Sequence, residues 1–255
     1  MRIRGGVNNL IAILRECKGK YIAWLDADDY WIDSQKTVKE VAILESNPSV
    51  GVVYSDDYID SKYVNNVLQE RKRGTLGNDA FSQLLLGNYI TSETVIFRAS
   101  LLQYIDWEEM EKYPADDWFM WLEMSVHTHF YHLKEHTAAA TITREISEDI
   151  PYASLEYAKK NLGLQKYYMN KYPDKTNLSI SDIEDAFYDD QLKTAILMSD
   201  YCLAKEAVTK HTSPQSIKKK LYYKLFNNKF TFELYMLYRK LKGKNNKTPL
   251  ERYFY

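Results

Sequence analysis

Short apolar runs alternate along the chain with stretches of helical spacing. Residues 21–25 (Tyr-Ile-Ala-Trp-Leu) form one run, cut off by Asp26-Ala27-Asp28-Asp29. This predicts a buried strand delivering carboxylates to the end of a sheet, where open α/β folds place their ligands. Gly51-Val52-Val53-Tyr54 predicts a second strand, ending at Ser55-Asp56-Asp57, and Thr94-Val95-Ile96-Phe97 a third, followed by Arg98. Residues 130–133 and 138–143 read as two further strands. Leu10, Ile11 and Leu14 mark a helix capped by Asn8 or Asn9 and ended at Gly19. Residues 34–45 predict another, with Val38, Val41 and Ala42 inward and Asn47-Pro48 as its stop. Residues 81–86 and a stretch opened by Asp116-Asp117, containing Trp118, Trp121, Leu122 and Met124, complete the set. The polar stretch 61–78, with Arg71-Lys72-Arg73, reads as a loop or weak hairpin. Strand–helix alternation predicts an α/β fold, a mixed sheet flanked by helices.

Beyond Pro151 the pattern turns wholly helical, with helices expected over 154–168, 181–201, 216–226 and 230–241. Ser181 and Glu184 fit a capping box. The expected organisation is an α/β core over 1–150 and a helical, basic region over 151–255. Net charge is −1, but residues 215–255 hold eleven Lys and Arg against two Glu. That surplus of basic residues, interleaved with Leu, Tyr and Phe around Lys218-Lys219-Lys220, predicts either peripheral contact with an anionic membrane face or a solvated helical face. No nucleic-acid-binding motif is present. Two distant cysteines, Cys17 and Cys202, fit a reducing, cytoplasmic setting. No apolar run is long enough to cross a bilayer.

Carboxylates clustered as in Asp26-x-Asp28-Asp29 repel one another unless a cation neutralises them. Mg²⁺ and Mn²⁺ favour such oxygen ligands, one or two from the protein and the rest from substrate phosphates. A solvated acidic turn is the competing reading. Asp116 and Asp117 fit either a catalytic pair or an acidic helix start. His127, His129, His132 and His136 lack the partners of a zinc site and read as ordinary polar positions. Trp118 and Trp121 read as core in preference to a sugar-stacking platform.

Gly5-Gly6-Val7, the run from Lys18 to Trp31 and Leu44-Glu45-Ser46-Asn47-Pro48 together resemble a family 2 glycosyltransferase of GT-A (Rossmann-like) fold. Residues 91–98 and Asp116-Asp117-Trp118 resemble its acceptor-side segments, and the likeness covers residues 1–150. The resemblance implies transfer of a sugar from a nucleotide-diphosphate donor to an acceptor hydroxyl, with inversion, in polysaccharide or glycan synthesis. It places Asp26 on the donor's ribose or sugar side, Asp28 as ligand to Mn²⁺ or Mg²⁺ with Asp26 beside it, and Asp29 in support. Asp117 becomes the general base, with Asp116 competing for that role. Arg144 would face the diphosphate, while Ile146 stands where the family often has a metal-binding histidine. A glycan or lipid-linked acceptor is implied, with a place in the cytoplasm or against the inner membrane face. The family's opening strand–helix–strand has no counterpart before Met1, so an N-terminally truncated core is expected. The alternative function is a catalytically inactive fragment or partner subunit that keeps the fold.

Overall fold

The apolar runs become one mixed sheet, and most of the periodic stretches become helices. The computed structural model describes residues 6–61, 68–113, 116–142, 150–212 and 217–242. One compact unit comprises residues 1–145 and 164–177, the other residues 146–163 and 178–255. In chain order the first unit holds α1 (Gly6–Glu16), β1 (Tyr21–Ala23), β2 (Tyr30–Trp31), α2 (Lys36–Ser46), β3 (Val50–Ser61), β4 (Gln69–Arg71), α3 (Ala80–Leu86), β5 (Ile96–Arg98), α4 (Trp107–Met110), α5 (Asp116–Ser125) and β6 (His129–Ile142).

The strands run in the order β1-β5-β3-β6-β2, with β4 paired to β3. β3 is the spine. It pairs in parallel with β6 from Val50↔His129 to Ser61↔Ile142, while its other edge meets β5 first and β4 later, both antiparallel. Residues 51–57 of β3 are all buried, as expected for a strand covered on both faces. Gly51 is required by close approach: a Cβ there would lie 2.4 Å from Thr128 Oγ1. The two strands expected at 130–133 and 138–143 merge into β6 as far as Ile142. Register shifts around Asp56 absorb the polar residues between the apolar stretches. The expected weak hairpin exists as β3–β4, with Asp57 opposite Arg71.

Helix α2 corrects the expected inner face. Val38 is 62% exposed and Ala42 is exposed too, Val41 is half-buried against the core as expected, and the fully buried positions are Lys36, Glu40 and Leu44. A charged pair occupies this interior face because Lys36 is satisfied by Glu40 Oε2 and the Thr94 carbonyl, although Glu40 Oε1 is buried without a hydrogen-bond partner among the described residues. Lys36 Nζ lies 2.6 Å from Glu40 Oε2, donates to the Thr94 carbonyl at 3.0 Å, and sits 5.6 Å from the Trp31 ring centroid. Burial pushes Glu40 up to about 7 and pulls Lys36 down. α1 begins at Gly6, ahead of the expected Asn cap. From residue 164 on, α6 (Ile150–Lys171) packs with the first unit. Gln165 Nε2 donates to the Leu85 carbonyl (2.7 Å) and Tyr168 Oη to that of Phe119 (3.0 Å). Lys171 Nζ, at 2.7 Å, and the Tyr172 hydroxyl both reach the buried Glu123.

The second unit adds α7 (Ile180–Met198), α8 (Tyr201–Lys210), α9 (Ile217–Phe226) and α10 (Lys229–Leu241). The capping box is Ser179 with Asp182, two residues earlier than expected. Asp182 N donates to Ser179 Oγ and Ser179 N to Asp182 Oδ2. Asp182 serves because its carboxylate reaches back as a glutamate's would. The single helix expected over 181–201 breaks at Ser199, which takes a left-handed conformation (φ 58°) before Asp200 caps α8. Leu192, Ala195, Ala204, Ala207, Phe226, Phe232 and Met236 make this unit's core.

Candidate active site

Strand β1 stops at Ala23 because Trp24 turns out of the ladder. Its N–H still reaches the Val95 carbonyl (3.2 Å), but its indole Nε1 donates to Asp26 Oδ1 at 3.0 Å. The ring is nearly buried and packs on Trp121 of α5, centroids 6.0 Å apart and tilted 59°. Asp29 N donates to the Asp26 carbonyl at 3.1 Å, closing a turn that leaves Asp26 and Asp28 exposed. Asp29 points elsewhere: its Oδ1 accepts the Thr141 amide at 2.8 Å, pinning the loop to β6. Burial raises Asp29 above the usual carboxylate range. The loop is therefore anchored at both ends, with two carboxylates presented to solvent between the anchors.

Asp117 is half-buried at the start of α5. Its carboxylate accepts Asn88 Nδ2 at 3.3 Å and the Trp118 amide at 2.6 Å. Asp116 is the first residue of that helix, and its side chain lies outside the described residues, as does Arg144. Trp118 and Trp121 are core: both are buried, and Trp118 Nε1 donates to the Leu84 carbonyl at 2.9 Å. Trp121 lies about one turn beyond Asp117, so the Trp24–Trp121 contact ties the Asp26 loop to the Asp117 helix.

A second charged group was not singled out from the sequence. Asp57, fully buried on β3, accepts Arg71 Nε at 3.0 Å and Arg73 Nε at 2.9 Å, and Arg71 Nη2 lies closer still. Arg71 Nη2 also approaches Glu93 Oε1 at 3.4 Å, and Arg73 Nη2 donates to Thr91 Oγ1 at 3.0 Å. Burial raises Glu93 to about 7, with the charges of Asp57 and Asp29 adding to the rise. Burial pulls the Arg73 guanidinium down. The Trp31 indole donates to the Glu93 carbonyl at 3.1 Å, so this network borders the strand that follows the Asp26–Asp29 loop. One signal was available: Arg71-x-Arg73 at strand spacing, shortly after a strand that carries Asp56-Asp57.

The histidines serve separate partners. His132 Nε2 meets Asp56 Oδ1 at 2.9 Å, His127 meets Glu123 at 3.3 Å, and His136 packs on the Tyr58 ring. Among the described residues no three His, Cys, Asp or Glu side chains gather as a metal site. A cavity of about 590 Å³ lies elsewhere in this unit, lined by Ser49, Asp79, His127, His129 and Lys175 among others.

Residues 2–105 match the family model of glycosyl transferase family 2. Uncharacterized protein Mb1547 of Mycobacterium bovis and uncharacterized protein Rv1520 of Mycobacterium tuberculosis are each 33% identical over 97 residues. The match covers 35% of this chain and 26% of each relative, so it spans about a quarter of their length. A crystal structure of S. aureus TarS aligns with a TM-score of 0.36 at 14% identity, over 88% of this chain and 40% of that one. The matched segment holds β1, the acidic loop, the Arg–Asp57 network and β5. Over residues 2–105, about two fifths of its length, the chain is similar to glycosyl transferase family 2.

Proposed function

We propose that the chain transfers a sugar from a nucleotide-diphosphate donor to an acceptor hydroxyl, with inversion, in the synthesis of a polysaccharide or glycan. The observation that carries this reading is the anchored loop with its two exposed carboxylates, joined through Trp24 and Trp121 to the helix that begins at Asp116-Asp117. Asp28 and the free oxygen of Asp26 suit Mn²⁺ or Mg²⁺, which need only one or two carboxylates when phosphates complete the shell. When bound, such an ion would neutralise charge on the departing diphosphate.

The remaining steps fall to side chains. Asp26, with one oxygen fixed by Trp24, orients the donor's ribose or sugar. Asp117 accepts the proton of the acceptor hydroxyl as that oxygen attacks the anomeric carbon. Asn88 and the Trp118 amide hold its carboxylate in place. Asp29 and the Arg71/Arg73–Asp57 network keep the loop and the neighbouring strand from shifting. A glycan or lipid-linked acceptor fits this chemistry. No described helix is long and apolar enough to cross a membrane.

The test is release of nucleoside diphosphate from a panel of UDP-, GDP- and dTDP-sugars with Mn²⁺. Asp117→Asn should lower turnover by roughly 10²–10⁴-fold with donor affinity kept, and Asp28→Ala should lose the metal-dependent part of donor affinity. Asp116→Asn should leave turnover near the parent's. Turnover lost in Asp116→Asn and kept in Asp117→Asn would move the base to Asp116. Metal-dependent turnover indifferent to Asp28→Ala would overturn the site.

A further inference from the structure

Helix α10 has two apolar faces. Phe232 and Met236 turn inward onto Phe226 of α9 and the helical core, and Tyr235 Oη bonds Tyr222 Oη at 3.0 Å. The opposite side carries Phe230, Leu234, Leu237 and Leu241, spaced 4, 3 and 4 residues apart. At 100° per residue these fall on one narrow stripe. All are exposed, from 53% for Leu237 to 78% for Leu241, and Tyr238 beside them is 52% exposed. Single exposed apolar residues are ordinary, but a continuous stripe on a helix already anchored by its other face marks a contact surface.

The surroundings decide what the stripe meets. Lys229 and Lys240 flank it on one side and Lys242 on the other, all exposed, with Glu233 the acid of this helix. Helix α9 adds exposed Lys220, Leu221 and Lys224. Residues 215–255 carry eleven basic against two acidic side chains. A second copy of the chain would bring like-charged rims together. An anionic bilayer offers hydrocarbon for the stripe and negative headgroups for the rim. We infer that α10 is a peripheral docking surface for anionic membranes, lying in the interface plane with Phe230, Leu234, Leu237 and Leu241 inserted. This stands on the second unit alone and does not depend on sugar transfer.

The experiment is co-sedimentation of the full chain with phosphatidylcholine vesicles, with and without about 30% phosphatidylglycerol. The parent should partition at least about tenfold more strongly onto the anionic vesicles, and added salt should weaken that binding. Leu234→Ser/Leu237→Ser alters only exposed positions, so its circular dichroism should match the parent's while vesicle binding falls about tenfold or more. Lys229→Glu/Lys240→Glu should erase the preference for anionic lipid. Sedimentation velocity separates the rival occupant. Self-association of the parent abolished by the Leu→Ser variant would assign the stripe to a second copy and overturn the proposal. Unchanged vesicle binding by the Leu→Ser variant, or no binding by the parent, would overturn it too.

Discussion

Replacing Asp57 by Asn removes the carboxylate that both Arg71 and Arg73 bind. Its side chain is fully buried, and two guanidiniums converge on it, those of Arg71 (28% exposed) and Arg73 (12% exposed). Asparagine keeps the shape and one carbonyl oxygen, but its amide would turn N–H groups toward N–H groups. Removing one partner of a buried ion pair costs about 3–5 kcal/mol because the other charge stays behind. Arg71 keeps some contact with water and with Glu93, so the lower half of that range applies. A change of about 3 kcal/mol is a large part of the 5–15 kcal/mol that holds a typical domain together. For a unit of this size it corresponds to a fall in Tm of roughly 6–12 °C. The assay can be confined to the right unit: all five tryptophans (Trp24, Trp31, Trp107, Trp118 and Trp121) lie in the first. Urea unfolding followed by tryptophan emission therefore reads that unit alone. Adding Arg71→Gln to Asp57→Asn should recover part of the loss, since one stranded charge goes with it. A shift below about 1 kcal/mol for Asp57→Asn, the size of an exposed pair, would refute the view that this network is buried and holds the β3–β4 end of the sheet.

Trp24→Phe keeps a ring against Trp121 but loses the N–H to Asp26. Calorimetric affinity for a nucleoside diphosphate with Mn²⁺ should weaken about 3–10-fold, the range of an ordinary hydrogen bond (about 0.5–1.5 kcal/mol), since water at the exposed Asp26 can partly replace the lost donor. Unchanged affinity would leave Trp24 as a core residue only. Stability of the first unit should depend on pH through Glu93, which burial raises to about 7 from an unfolded value of 4.5. The folded state then holds a proton that the unfolded state releases, so this contribution is present below about pH 4.5 and is lost as pH rises to about 7. Glu93→Gln should flatten that decline by up to about 3 kcal/mol, at about 1.4 kcal/mol per pH unit, and parallel urea midpoints from pH 5 to 8 would contradict it.

Much of this was legible in the sequence because the decisive signals were local. A buried run ending in acids gave β1 and its loop, and continuous burial gave β3. The acidic pair ahead of Trp118 gave the start of α5. What was not legible came from contacts distant in sequence. Periodicity put Val38, Val41 and Ala42 inside α2; Val41 does pack on the core, but Val38 and Ala42 face solvent, and the interior accepted Lys36 and Glu40, which pair with each other while the distant Thr94 carbonyl and the Trp31 ring meet Lys36. Arg71 and Arg73 looked like polar loop residues until register set Arg71 opposite Asp57 and the chain beyond β4 brought the Arg73 side chain to the same carboxylate. Asp29 was grouped with Asp26 and Asp28 by adjacency, yet the chain turns between them and commits Asp29 to Thr141. The outer stripe of α10 was masked by its basic residues, which read first as charge and only on the folded helix as the rim of an apolar face.

The reading of this chain as a sugar transferase turns on whether the Asp26–Asp28 loop grips a nucleotide's phosphates through a divalent ion. Isothermal titration of UDP and of GDP into the full chain, with Mn²⁺ and again with EDTA, measures that. Binding of one nucleotide should require Mn²⁺, weaken at least about tenfold in Asp28→Ala, and survive in Asp117→Asn. Binding that is equal with and without the ion, or equal in the parent and Asp28→Ala, would contradict it.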